Sequence, residues 1–175
     1  MGKCFRKKAL KNDDILKKCR TFALENRKNM TINERQDEII EEFECLDDWM
    51  DKYQMLIDLG GELEPLPEQY KTEQNLIDGC QSRVWVNCET SSEEDGEKVM
   101  HLQADSDALI VKGIVALLLR VLNDQRPEDV LNADLYFIER IGLHEHLSPT
   151  RSNGLLSMVK RIRTIALENV EPCAN

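Results

Sequence analysis

The chain has 175 residues, of which 41% are hydrophobic, 32% charged and 5% aromatic, and 23 Lys+Arg against 33 Asp+Glu give a formal net charge of −10 at pH 7. That length suits one compact domain, and the apolar fraction excludes wholesale disorder. No apolar run approaches the ~18 residues of a membrane span; the longest, GIVALLL, is closed in by Lys112 and Arg120.

Residues 1–29 carry ten Lys/Arg and three acids, so this segment is +7 and the remaining residues are −17. The start has basic residues but no apolar stretch or small-residue cleavage site, so no secretory signal is expected and a cytoplasmic location is the default. The opening MGKC invites an acylation reading at Gly2 and Cys4, but that pattern wants Ser or Thr where Arg6 stands. A poorly ordered basic extension is expected over 1–29, a compact domain over 30–170 beginning near Met30, and a short tail over 171–175. The acidic body disfavours nucleic acid and favours a partner with a basic docking surface; with only Phe5 and Phe22 as aromatics, the basic leader carries no binding signature of its own. Neither nucleic acid nor membrane is an expected partner.

Residues 32–59 read as helix, with Ile39, Ile40, Phe43, Leu46, Met50 and Tyr53 at three- and four-residue spacing. A break is expected near Asp47-Asp48 and a stop at Gly60-Gly61. Pro65 and Pro67 then enforce an extended loop. LIDGCQS leads into RVWVNCET, an alternating run of β-formers, and EKVMHLQAD pairs with it as a hairpin across the acidic turn SSEEDG. Trp85 in this run reads as core packing. Residues 107–123 are apolar on most sides and so form a helix through the core. Asp105, Ser106 and Asp107 precede it and read as N-capping residues. Lys112 has no phosphate-cradling loop beside it, which argues against a Schiff-base cofactor site. PEDVL and DLYFIERIGL read as short helices. A last long helix begins near Ser148-Pro149, with Leu155, Met158, Val159, Ile162, Ile165 and Ala166 on one face and Lys160, Arg161 and Arg163 on the other. The sum is an α+β fold, a small antiparallel β-sheet packed by several helices.

The six cysteines show no CxxC pair and no zinc-finger spacing, and a disulfide framework is not expected in a reducing compartment. Cys45 and Cys88 read as small buried hydrophobes, while Cys4, Cys19 and Cys173 fall in the chain ends. Cys80 differs: Gly79 before it permits a sharply turned loop, placed where chemistry tends to reside, at a strand end. A free thiol of ordinary pKa is only about 3% thiolate at pH 7, so it needs a cation, backbone N–H groups or a partner for activation. Arg83 lies three residues on, and no Cys–His pair is evident among His101, His144 and His146.

LIDGCQSRVWV, LQADSDALIVKGIVALL and HLSPTRSNGLLSMVKRIR, in this order, resemble the SufE/CsdE family of sulfur-transfer proteins, and YQMLIDLGGELEPLPEQY fits the same family's approach to its loop. The resemblance runs from about Asn33 to Ala166. It implies the α+β architecture of U-type iron–sulfur scaffold proteins and a role as an acceptor of sulfane sulfur. The loop cysteine, here Cys80, would take the terminal sulfur of a persulfide on a cysteine desulfurase of the SufS/CsdA type, stimulate that enzyme, and pass the sulfur to an iron–sulfur scaffold of the SufBCD type. This is thiol–disulfide exchange in another form. It needs no metal and no cofactor on this chain, since pyridoxal phosphate belongs to the desulfurase, and the protein is expected to be a covalent accessory rather than an independent enzyme.

The resemblance further implies that Asp107 lies near the desulfurase-facing surface. Gly79, Gln81 and Ser82 would shape the loop there, the last two through hydrogen bonds. Arg151 and His146 would stabilise the loop or the transferred sulfur, an arginine favouring ionisation of a nearby thiol; the plainer reading of both is a capped, solvated helix start. Cys80 is expected to tuck against an apolar wall around Ile110 and Ile114 when free, and to swing out on docking. Two alternatives stay open: a scaffold-like zinc or cluster site drawing on Cys80, Cys88, Cys45 and His101, and a non-covalent desulfurase activator. A homodimer also stays open.

Overall fold

The computed structural model of the protein describes residues 30–92 and 97–170; the expectations for 1–29, for residues 93–96 of the acidic turn and for the tail 171–175 lie outside the described residues. Helix α1 (Ile32–Glu44) buries Ile32, Ile39, Ile40 and Phe43 on one stripe. The expected break is real: Asp48 ends the interruption by capping α2 (Trp49–Glu62), its carboxylate accepting the N–H of Asp51 at 2.9 Å.

The expected stop at Gly60-Gly61 is not where α2 ends, because the helix runs through both glycines to Glu62. Gly60 faces Gly113 of α3 (Leu109–Leu122), the helix that crosses it. A Cβ on Gly60 would lie 2.8 Å from Gly113 N, and one on Gly113 only 2.0 Å from Leu56 O. The glycine therefore serves a backbone-to-backbone helix crossing rather than a helix stop. α3 is the core element: ten of its residues are buried, Val111, Gly113 to Leu119, Val121 and Leu122.

After α2 the chain passes through an irregular segment with one 3-10 turn (Glu68–Tyr70). It then runs along the outer edge of β1 (Val84–Ser92), where Ile77 N–H donates to Val84 O and Val86 N–H to Asn75 O. β1 pairs antiparallel with β2 (Lys98–Ser106) in a register that sets Val84 opposite Ser106, Cys88 opposite Leu102 and Ser92 opposite Lys98. Val84, Val86, Leu102 and Ala104 face the helical core, whereas buried Trp85 lies on the other face beneath the edge segment, bridged to Leu76. At the far end His101 joins the hairpin to the connection after α3, its ring nitrogens 2.6 Å from Asp124 Oδ1 and 2.7 Å from Ser91 Oγ.

The remaining helices are α4 (Pro127–Asn132), α5 (Phe137–Arg140), α6 (Leu143–His146) and α7 (Pro149–Asn169). α6 had no separate signal in the sequence. Two polar residues of α1 are buried: Gln36 donates to Asp134 O and accepts from Phe137 N–H, and Arg35 donates to Asn123 O at the C-terminal end of α3, where a cation meets the negative end of the helix dipole. On α7, Leu155, Met158, Ile162, Ile165 and Ala166 are buried and Val159 half-buried. Arg161 and Arg163 do not simply face water, since each donates to the carbonyl of a connecting segment, Gln74 O and Ala133 O. Among the described residues no helix is long and apolar enough to cross a membrane.

Candidate functional site: the Cys80 turn

Six residues, 78–83, loop out between Ile77 and Val84, whose N–H···O contact of 2.8 Å closes the base. A second tie fixes the strand side: Arg83 N–H donates to Asp107 Oδ1 at 3.0 Å, and Asp107 N–H to Arg83 O at 3.3 Å. Within the turn Gly79 has φ +86, a backbone region other residues enter at a cost. A Cβ there would also lie 2.8 Å from Ser157 Oγ on α7, which would have to rotate away, so it is the backbone angle that calls for glycine. Cys80 is thereby turned toward α7, where its thiol donates to Gly154 O at 3.5 Å.

The thiol borders a cavity of about 530 Å³. Ile110, Val111 and Ile114 from the first turns of α3, Ile57 from α2 and Met158 from α7 form the apolar lining, and Gln81, Ser82, Leu109, Thr150 and Arg151 line the same cavity as Cys80. Leu109 is 69% exposed, an apolar side chain held in water on the same cavity as Cys80. Burial pushes the Cys80 thiol above its ordinary pKa because the anion is disfavoured in an apolar surround. The free protein thus keeps this group as a half-buried neutral thiol.

The named site residues fall into two sets. Gly79, Cys80, Gln81, Ser82 and Arg151 come together at this cavity, Gly79 through the turn that seats Cys80. Among the described residues Gln81 and Ser82 line the cavity but do not set the loop by side-chain hydrogen bonds; Asp107 does that work. His146 does not line the cavity. Its ring stacks on Trp49 at 3.7 Å and 21°, and its carbonyl accepts the Tyr53 hydroxyl. Arg83 sits with its guanidinium 4.9 Å over the Trp85 ring and does not line the cavity either.

The capping reading is corrected by the geometry for Asp105 and Asp107, whereas the Ser106 hydroxyl does reach the helix start, accepting the Ala108 N–H at 3.3 Å. The N-cap of α3 is Ala108, which makes no side-chain cap. Asp107 turns back to the Cys80 loop instead. Asp105 is buried and lies 2.9 Å from Lys112 Nζ and 3.3 Å from Lys71 Nζ. Burial alone would raise this carboxyl, but hydrogen bonds from Lys112, the Ser106 N–H and Lys71 outweigh it and hold the pKa below the usual value. Sequence reasoning missed this cluster, although a signal existed: Lys112 is the cation in the first turns of an otherwise apolar helical stretch and needs an anion there.

The other cysteines also divide. Cys45, expected to be buried, is exposed, because α1 ends one residue before it and the chain turns away from the core. Cys88 is half-buried against the core, and burial, with Glu89 beside it, pushes its thiol up to about 11. Among the described residues no three His, Cys, Asp or Glu side chains converge as metal ligands, so the donor set Cys80, Cys88, Cys45 and His101 is not assembled.

The fold and site define a small α+β domain that presents one cysteine on a glycine turn before the first strand of its hairpin. A family model described as SufE, Fe-S metabolism associated domain, matches residues 37–166. An uncharacterized SufE-like protein of Rhizobium etli is 44% identical over 128 residues, covering 73% of this chain and 86% of that protein. One from Rhizobium meliloti is 38% identical over 131 residues, covering 74% and 93%. The solution structure of a hypothetical protein from Thermus thermophilus shares the fold, with a TM-score of 0.61 at 24% identity over 77% of this chain and 94% of that one. The chain belongs to the SufE family, whose domain is associated with iron–sulfur metabolism.

Proposed function

We propose that the protein is a sulfur carrier: Cys80 accepts the terminal sulfur of a persulfide on a pyridoxal-phosphate-dependent cysteine desulfurase, stimulates that enzyme by clearing it, and hands the sulfur to an iron–sulfur scaffold. The observation that carries the reading is the environment of Cys80, a thiol on a glycine turn beside an apolar cavity with no histidine base lining it. A hydrolase would need a base within hydrogen-bond reach. Thiol–persulfide exchange needs only a thiolate that can reach the partner, and the partner's site can supply the deprotonation.

The step balances without a further reactant. The Cys80 sulfur attacks the outer sulfur of the donor persulfide, the new S–S bond forms, and the donor's own S–S bond breaks with its electron pair leaving on the desulfurase cysteine. The proton from Cys80 offsets the one that cysteine regains. A persulfide is lost to reductants in open solution, and the cavity beside Cys80 offers the transferred atom an apolar shelter. Leu109, exposed beside it, gives a docking partner an apolar contact, and Arg151 supplies a positive charge near the nascent anion.

Intact mass spectrometry after incubation with desulfurase and cysteine tests the reading. The expected result is an adduct of about 32 Da, one sulfur atom added by exchange, mapped to Cys80 and absent from Cys80→Ser. Undiminished stimulation by Cys80→Ser under limiting reductant would overturn it in favour of activation by binding alone.

A further inference from the structure

We infer that loading sulfur onto Cys80 itself loosens the turn's seat on α7, with the Gly154 carbonyl as the group that registers the load. The inference rests on the carrier reading of Cys80. In the empty protein the turn meets α7 at two points. Gly79 packs where a Cβ would come within 2.8 Å of Ser157 Oγ, and Cys80 Sγ packs where a Cβ on Gly154 would be 3.4 Å away. The hydrogen bond at this seat runs from the Cys80 thiol to Gly154 O, 3.5 Å away.

That bond exists only in one chemical state of the carrier. A thiol sulfur bears one hydrogen and donates it. When Sγ takes up a sulfur atom it becomes bonded to Cβ and to the new sulfur, its proton having left as the S–S bond formed, so it carries no hydrogen. Gly154 O then faces a sulfur lone pair instead of a donor, and the hydrogen bond is lost. α7 already abuts Sγ on that side, so the added atom has no room toward Gly154 and must point into the cavity or outward. The empty turn is therefore held to α7 by one hydrogen bond more than the loaded turn, whose sulfur can still lie in the cavity. The sulfur donor meets the first surface and the recipient meets the second, which gives one small protein a means of presenting itself differently before and after loading.

Hydrogen exchange of the turn amides, 78–82, tests this on the full chain in four forms: the free thiol, Cys80→Ser, Cys80→Ala, and protein persulfidated with inorganic polysulfide. A serine hydroxyl keeps a donor facing Gly154 O, whereas alanine and the inner sulfur of the persulfide have none. Losing one weak hydrogen bond predicts exchange about two- to fivefold faster in the alanine and persulfide forms, with serine close to the thiol and the amides of α3 unchanged in all four. Serine and alanine exchanging alike, or a persulfide form exchanging at the rate of the thiol, would overturn the inference. Because polysulfide loads the thiol without any partner, and the Ser–Ala comparison needs no sulfur at all, this outcome is read independently of whether a desulfurase delivers sulfur to Cys80.

Discussion

Gly113 is where a single methyl group should do most damage. A Cβ there would lie 2.0 Å from Leu56 O, 2.6 Å from Leu56 C and 3.0 Å from Leu56 Cα. All three atoms are backbone in the middle of α2, so no side chain can rotate away. Reaching an ordinary 3.4 Å contact requires α2 and α3 to part by roughly 1.4 Å locally. Overpacking of this kind costs typically ~1–3 kcal/mol, and rigid backbone on both sides places Gly113→Ala at the upper end. The intrinsic gain of alanine over glycine in a helix returns ~1 kcal/mol, leaving a net loss of ~2 kcal/mol.

For a domain of this size that loss lowers Tm by about 4–8 °C. Gly61→Ala is the matched control, since a Cβ at Gly61 meets nothing within 4 Å in the last turn of the same helix pair. It should be neutral or stabilising by up to ~1 kcal/mol. Reversible urea unfolding of both variants is the assay. If Gly113→Ala proves as stable as Gly61→Ala, the close crossing of α2 and α3 is wrong.

Two further outcomes are expected. At pH 8, iodoacetamide with peptide mapping should modify exposed Cys45 before Cys80, and Cys88 last, with the Cys80 rate still climbing above the ordinary thiol pKa of ~8.5; a Cys80 profile that levels off below that value would contradict its burial. Both half-buried thiols hold their protons more tightly folded than unfolded, so their contribution to stability is intact below the ordinary thiol pKa and lost as pH rises past it. Asp105 works in the opposite sense: its depressed pKa adds stability above the usual carboxyl value of ~3.9 that is lost as pH falls through the lower folded value. Asp105→Ala should cost ~2 kcal/mol at neutral pH by leaving Lys112 without its anion, and should flatten the acid limb of urea stability against pH. Superimposable acid limbs for the two proteins would refute that role.

Much of the fold was legible because its signals are local. The Asp48 cap, the alternation of Val84, Val86 and Cys88, and the apolar run after Lys112 each name their element without help from distant residues. Cys45 was misread because its spacing continues the α1 stripe while the helix stops just before it. Gly60 was misread for the converse reason: its partner, Gly113, is 53 residues away. Of the site, Cys80 and Gly79 stood out together, but Asp107 read as a helix cap, and the family resemblance put His146 near the loop where the residues alone suggested a solvated helix start. The first ties the loop through Arg83 and the second stacks on Trp49.

Periodicity, proline and glycine punctuation, and the strings around Cys80 are properties of neighbouring residues, so the sequence alone determined the α+β class, the order of the elements other than α6, and the family. The cavity draws on Ile57, Cys80, Ile114, Arg151 and Met158, and the burial of Arg35, Gln36 and Asp105 depends on carbonyls and lysines from other elements. Those meetings are fixed by how helices and hairpin pack, since a buried polar group finds its partner in space and not along the chain. Only the tertiary structure could decide them, and with them the seat of the one thiol on which the proposed chemistry turns.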